Sequence, residues 1–516
     1  MKLVGLAILF TSISCPLPAR EIRVPLQARS IQAGIDQASY GDTVLVSPGT
    51  YYERISISAG VTVRSLGNDS GHDSGRDRAE LTVIDGGGVN GDTAGVEMGQ
   101  ASELDGFTIT HVGLYDEQVW KMHFTSNGEE LGDDEGAVLA EGTVPAVRIQ
   151  AQACVVKNCI VHHNGDVGIA ILGTAEFQLK AMIENNKVSR NLGGGIGLAV
   201  NTVAVVTNNT CFENLRAGIG CRAASPVITQ NTCFGNIRAG IGCREGACPI
   251  IRGNVCYKNR RAGIGVRMKG TSPLIESNRC YENEMAGIGN RDEASPVIRG
   301  NECFRNKMAG IGSDGSSPLI VSNTCRENLM AGIGLQNKAT AIIIQNRCLE
   351  NALVAIGITQ GSTASIADNE LKRTGGQPPI VAIKDQSKAL ITNNRIYGGG
   401  VAGILVQGTV TIDANHFESG APKQGNAIWV WDKSVVTVVG NNFQGYRSAV
   451  RSAQSKINVL NNIIRRFGTV AIDISDDNPM SNVLANKAYT DNKDAVVWRR
   501  VSTPNDTSGN VIVLQD

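Results

Sequence analysis

Apolar positions in this chain recur with two periods at once. Within short stretches they alternate with polar residues or glycine, the two-residue period of a strand whose faces differ. Over longer stretches the whole pattern returns every 22 to 24 residues. One copy reads NTCFENLRAGIGCRAASPVITQ and the next NTCFGNIRAGIGCREGACPIIRG. The leading Asn falls at Asn209, Asn231, Asn254, Asn278, Asn301, Asn323, Asn346 and Asn369. A fixed period of this size implies a stack of similar units around one columnar core.

In AGIGCR, alternation sends Ile219 and Cys221 inward, and Gly218, Gly220 and Arg222 outward. Aligned copies put Ile219, Ile241, Ile264, Ile288, Ile311, Ile333 and Ile356 in one inner column. Ile228, Ile251, Ile275, Ile298, Ile320, Ile343 and Ile366 make a second, and Cys211, Cys233, Cys256, Cys280, Cys303, Cys325 and Cys348 a third. Three inner columns predict three short strands per coil, each paired with the coils above and below. That is an all-β, single-stranded parallel β-helix with three sheets. Pro226, Pro249, Pro273, Pro296 and Pro318 open the second strand. Asn columns mark the turns, the second one running from Asn214 to Asn351; stacked amides can form ladders, and Asn tolerates left-handed backbone. Cysteines stacked about 4.8 Å apart with parallel side chains disfavour disulfides, so they read as buried free thiols. One straight column does not surround a metal ion. Arg252, Glu276 and Arg299, and Lys258, Glu282, Arg305 and Glu327, form columns of alternating charge.

The flanks divide the chain further. Residues 1–20 read as a signal peptide: Lys2, an apolar run from Leu3 to Phe10, then small residues, with cleavage after Ala19; Cys15 leaves a lipoprotein form as an alternative. Residues 21–60 are an N-terminal cap and first coil, with a short capping helix placing Ile31, Ile35 and Ala38 on one face. Residues 61–200 are irregular coils broken by an acidic and aromatic insert at 114–145, which holds Tyr115, Trp120, His123 and Phe124. Regular repeats fill 201–370, degenerate coils 371–475, and a C-terminal cap and tail 476–516. About 15–18 coils give a length of roughly 70–85 Å. Composition agrees: 60 Gly suit tight turns, and 4% aromatics suit a narrow aliphatic core. The 48 basic and 48 acidic residues balance, so no nucleic-acid or anionic-membrane partner is expected, and no membrane span. The expected protein is an exported monomer, periplasmic, secreted or at the cell surface.

The period, the GI core, the Asn turns and the segment GDTVLVSPGTYYE resemble the right-handed parallel β-helix repeats of the pectin-lyase-like superfamily. The resemblance covers nearly the whole mature chain and implies a right-handed coil. Members include pectate lyases, polygalacturonases, alginate epimerases, noncatalytic carbohydrate-binding repeats and a periplasmic factor for nitrous-oxide-reductase maturation, so fold does not choose function. The polygalacturonase NTD, GHG and RIK signatures, the DPH epimerase motif and the pectate-lyase vWiDH and RxPxxR patterns are absent. The GDD at 132–134 lies in the insert.

Enzymes of this superfamily work on the outer face of one sheet, and the AGIG strand best resembles that sheet. Its first outward column is nearly all Gly (Gly195, Gly218, Gly240, Gly263, Gly287, Gly310, Gly332), and so is its second, from Gly197 and Gly220 to Gly357. The third is Arg222, Arg244, Arg267 and Arg291, then Asp314 and Gln336. Before the strand stand Arg216, Arg238 and Arg261, then Met285, Met308 and Met330. This reads as a Gly-floored, Arg-rimmed trough for an anionic polysaccharide. The competing reading makes Gly a packing device and offsets Arg with Glu245, Asp292 and Glu293. Trp429 and Trp431 fall on the second and third outward columns, as sugar-stacking residues or as packing under the C-terminal cap. No catalytic residue is assigned. Glycoside hydrolysis needs a carboxylate pair, and only Asp314 projects from the central block, which leaves a polysaccharide lyase or uronate epimerase as the alternative activity. A structural or metal-enzyme-maturation role is the third reading. No cofactor is called for, with calcium the candidate ion for the acidic insert. His162, His163 and Asp166 lie near one turn, but adjacent His on a strand face opposite ways and do not share a metal.

Overall fold

The computed structural model describes residues 19–67, 77–126, 139–474, 481–500 and 508–515. Each regular coil contributes three strands, such as Thr210–Phe212, Ile219–Arg222 and Val227–Thr229. We call their stacks sheets III, I and II. Every ladder is parallel, and the result is a right-handed solenoid of about 20 turns, roughly 95 Å at one strand spacing per turn. It exceeds the coil number read from the repeats because the irregular flanks keep the same rungs. Past residue 475 the strands Asn482–Leu484, Lys487–Thr490 and Val511–Leu514 still pair in register with the coils before them.

The predicted inner columns hold. Ile219, Ile241, Ile264, Ile288, Ile311, Ile333 and Ile356 are register partners, as are the seven sheet III cysteines, and all are fully buried. Every cysteine among the described residues is free, and of these only Cys248 is exposed.

Two ladders of buried asparagine line the corners. At the II/III corner Asn278 donates to Ile251 O (2.9 Å), Glu276 O (3.0 Å) and Asn301 Oδ1 (3.0 Å), while its own Oδ1 accepts from Asn254 N and Nδ2. The III/I corner repeats the scheme with Asn283, Asn306 and their equivalents. The left-handed residue is not the Asn. It is the residue before it, such as Gln230 (φ 56°), Ser277 (φ 55°) and Glu282 (φ 53°). The Asn amide instead turns inward, where it satisfies backbone groups that a tight corner strands.

The N-terminal end is closed as expected. Helix α1 (Ile31–Gln37) is capped by Ser30, buries Ile31, Gly34 and Ile35, and has two of its first N–H groups bound by Glu53. A methyl at Gly34 would come within 2.9 Å of Val44, so glycine lets the helix lie on the first rungs. A second helix, α2 (Asp77–Leu81), buries Arg78 against Asp105. Helix α3 (Glu117–Thr125) belongs to the insert.

Candidate functional site: the outer face of sheet I

Three outward columns form the face. The first differs from the sequence reading. A Cβ on Gly218 would lie 2.8 Å from Gly240 O and 2.9 Å from Asn236 Nδ2, and one on Gly287 2.7 Å from Gly310 O. This column points into the III/I corner, against the Asn ladder and the cysteines. Its glycines are required because backbone and amide occupy the place of a side chain. The outward residue is the alanine before it: Ala262, Ala286, Ala309 and Ala331 stand there, close packed. The second column is open as expected, with nothing within 4 Å of a Cβ on Gly220 and only the Cβ atoms of Ala262 (3.6 Å) and Ala286 (3.9 Å) near one on Gly289. The trough is therefore floored by alternating Ala and Gly.

Arg222, Arg244, Arg267 and Arg291 stand in the third outward column. Arg222 pairs in register with Arg244, and Arg267 with Arg291. Glu245 bridges Arg222 and Arg244, the second at 3.5 Å, and Asp292 lies 3.3 Å from Arg291. Glu293 is held by Lys269. Carboxylates thus stand beside Arg222, Arg244 and Arg291 in this column. Burial, then the charges of Arg267, Arg222 and Arg216, hold the Arg244 guanidinium below its ordinary value, while Glu245 opposes them.

The other rim is Arg216, Arg238 and Arg261, partly buried; backbone bonds join Arg238 to Arg216, and Arg261 through Met285, Met308 and Met330 to Leu353. Arg216 lies within electrostatic reach of Asp166, a buried carboxylate that accepts from Ala140 N (2.7 Å) and Thr143. Burial raises the Asp166 pKa. Met285, Met308, Met330 and Leu353 are exposed, so this rim changes from cationic to apolar along the axis. In the opposite column Asp314 accepts from Gln336 (3.1 Å) and Asn337.

Trp429 stacks in the second outward column through Gly334, Gly357, Ala382 and Leu405, and Trp431 follows in the third. Their ring centroids are 5.9 Å apart, and Trp431 is 41% exposed. The pair shares the trough face but lies six rungs from Arg291, roughly 29 Å away. The structure does not bring them together with the arginines.

The insert packs as a small core of its own. Trp120 sits on Leu215 and Ile237, donates Nε1–H to Glu213 O (2.8 Å) and stacks on Phe124. Arg190 covers Trp120 and Arg260 covers Phe124. Helix α3 therefore lies along the III/I corner, beside Arg216 and Arg238. Asp116 caps α3, and Glu117 binds Tyr115 and Arg190. The carboxylates at 129–135, which carry the calcium reading, and the GDD at 132–134 lie outside the described residues. Among the described residues no group of three or more His, Cys, Asp or Glu is arranged to hold a metal ion.

The histidines correct the sequence reading. His163 follows the strand Ile160–His162 with φ 54°, which breaks alternation and turns its ring back. His162 Nδ1 and His163 Nδ1 are 2.7 Å apart. One further feature escaped the sequence reading. Phe212, Phe234, Tyr257, Tyr281 and Phe304 stack outside sheet III with centroids 4.8–5.1 Å apart. Their place after each Cys was the available signal. The rings cover one another's faces, so they stabilise rungs and present only edges to solvent.

Among the described residues no helix is long and apolar enough to cross a membrane. A search of curated proteins returned no match. Among solved structures the chain is similar to the mannuronan C-5 epimerase AlgE4 A-module of Azotobacter vinelandii, at 16% identity over 70% of this chain and 90% of that one, with TM-score 0.42. It is similar to the catalytic unit of a GH87 alpha-1,3-glucanase from Streptomyces thermodiastaticus, at 12% identity over 72% and 66%, TM-score 0.42. It is also similar to the PL6 family alginate lyase AlyGC, at 10% identity over 96% and 100%, TM-score 0.39. These likenesses concern the fold alone. The family model described as right handed beta helix region matches residues 123–271, 244–371 and 355–512, which together span most of the sequence. The chain belongs to the right handed beta helix region family.

Proposed function

We propose that this is an exported protein that binds an anionic polysaccharide along the outer face of sheet I. One observation carries the reading: two arginine columns flank an Ala/Gly floor on successive rungs. Arg216, Arg238 and Arg261 stand on one side and Arg222, Arg244, Arg267 and Arg291 on the other, with Glu245 beside Arg222 and Arg244 and Asp292 beside Arg291. Like charges stacked at strand spacing are unfavourable, and the Arg244 guanidinium is depressed by burial first and then by the charges of Arg267, Arg222 and Arg216. A ligand that repeats its negative charge along a line relieves it, and a bare floor lets the polymer approach the backbone. Carboxylates of a uronate polymer suit the planar guanidinium fork. The Trp429–Trp431 pair, on the same face, offers a second contact where sugar rings can stack. The apolar run after Lys2 supports export.

The test is affinity electrophoresis in gels carrying polygalacturonate or neutral dextran, at about 0.05 and 0.5 M salt. Retention by the polyanion that weakens with salt, without retention by dextran, is expected. Equal mobility in both gels contradicts the proposal. Incubation with the same polymer, read for unsaturated or epimerised products, separates binding from a lyase or epimerase.

A further inference from the structure

We propose that the His162–His163 pair is an acid-sensitive latch that holds helix α3 on the III/I corner. This goes beyond polymer binding and does not rest on it.

The two Nδ1 atoms, 2.7 Å apart, can share one proton only: one donates and the other accepts. The alternative partner of His162 Nδ1, Thr110 Oγ1, is 3.4 Å away. Protonation of both rings would set two Nδ1–H groups and two positive charges against each other. His163 also supports the insert. The Tyr115 ring meets it edge to face at 4.8 Å, the Tyr115 hydroxyl donates to Glu117 Oε2 (2.7 Å), and Arg190 donates to Glu117 Oε1 (2.8 Å). The same Arg190 covers Trp120, the anchor of α3. A continuous set of contacts therefore runs from the pair to the helix.

The surroundings oppose a second proton. The preceding coil presents Thr110 and His111, whose Nδ1 lies 2.9 Å from Asp85. The following coil presents Lys187 and Arg190, and Glu213 lies 3.7 Å from Arg190 one coil further. From the insert come Tyr115 and Glu117, the latter also near Lys121 (3.4 Å). Burial, then His163, His111, Lys187 and Arg190, lowers the His162 pKa to about 4. Burial, then Arg190, lowers that of His163, with Glu117 opposing. The lowered values keep the pair neutral at neutral pH; both rings become charged only as pH falls from the ordinary value of 6.5 toward about 4, and the contact between them is lost over that window. Release would uncover Leu192, Leu215 and Ile237 next to Arg216 and Arg238, placing an apolar strip along the cationic rim.

Trp120 reports the event. In the full chain with Trp429, Trp431 and Trp498 changed to Phe, its emission is expected to shift red and to become several-fold more accessible to acrylamide between pH 6.5 and 4. The change should reverse on neutralisation and leave the far-ultraviolet signal of the solenoid unaltered. The added substitutions His162→Gln and His163→Phe, which keep a ring on Tyr115 but cannot titrate, should hold the buried emission throughout. Emission that stays flat from pH 7.5 to 4, or the same transition in both proteins, overturns the latch. Should the double substitution release the helix at pH 7.5, His163→Phe alone decides: a lost or acid-shifted transition supports the latch, and an unchanged midpoint overturns it. Amide exchange of residues 115–125 in the unaltered chain, corrected for the intrinsic effect of pH, gives the same reading without the tryptophan substitutions.

Discussion

The two asparagine ladders descend neighbouring corners of one solenoid and end at different places. At the II/III corner the ladder runs from Asn186 to Asn510 with the amide-to-amide bond at each step. At the III/I corner it runs from Asn164 to Asn351 and stops. Beyond it, Arg373 binds Leu353 O (3.0 Å) and Gly375 O (2.8 Å), and the Tyr446 hydroxyl donates to Gly398 O (2.7 Å). The same corner carries α3 at one end, then the arginine rim, then the methionines. One corner is repeated for support and the other is varied. The varied corner borders the outer face of sheet I, so changes there alter what that face presents without disturbing the core.

The sharpest way to break this contrast is to cut each ladder. Asn278→Ala removes three donated bonds and leaves Asn254 without its acceptor, all in the interior. Each stranded buried group costs about 1–3 kcal/mol, so a loss of about 4 kcal/mol or more is expected. Asn351→Ala, at the end of its ladder, removes the bonds to Asn328 and Cys325 and should cost about 2 kcal/mol. Chemical unfolding midpoints measure both, and equal losses would erase the distinction.

The two glycine columns come next. Gly287→Ala drives a methyl into Gly310 O and Asn306 and should cost about 2–3 kcal/mol. Gly289→Ala, facing outward, should stay within about 0.5 kcal/mol of the parent. A smaller effect separates core from surface thiols. Hydrogen bonds to Cys211 and Cys256, and burial, push the Cys233 thiol up, and its column is fully buried. In the native protein a thiol reagent should modify Cys248 promptly, and the column cysteines only after unfolding. Prompt modification of Cys233 or Cys280 would contradict the closed core.

The inner columns were legible because a fixed period fixes register, and register fixes which side chains stack. Ile219, Cys211 and Asn214 needed only the spacing of their copies. The errors fall together at the corners. Strict alternation placed Gly218 outward and opposed His162 to His163, but it holds only within a strand. The strand at Gly218 begins one residue later, at Ile219, and the one at His162 ends there. The left-handed residue at His163 then reverses the direction of its side chain. The docking of α3 was hidden for another reason. Its contacts with Leu215 and Ile237 join residues about a hundred positions apart, outside any repeat, and periodicity says nothing about them.

The central claim, that the face beside the varied corner is a binding surface, is tested most directly by affinity for a polygalacturonate fragment at low salt. Arg222→Ala, Arg244→Ala and Arg267→Ala together should weaken binding about 30-fold or more and flatten its salt dependence. Met285→Ala, Met308→Ala and Met330→Ala together, on the rim beyond the arginines, should change it by no more than about 3-fold. Affinity and salt dependence unchanged by the arginine substitutions would contradict the account.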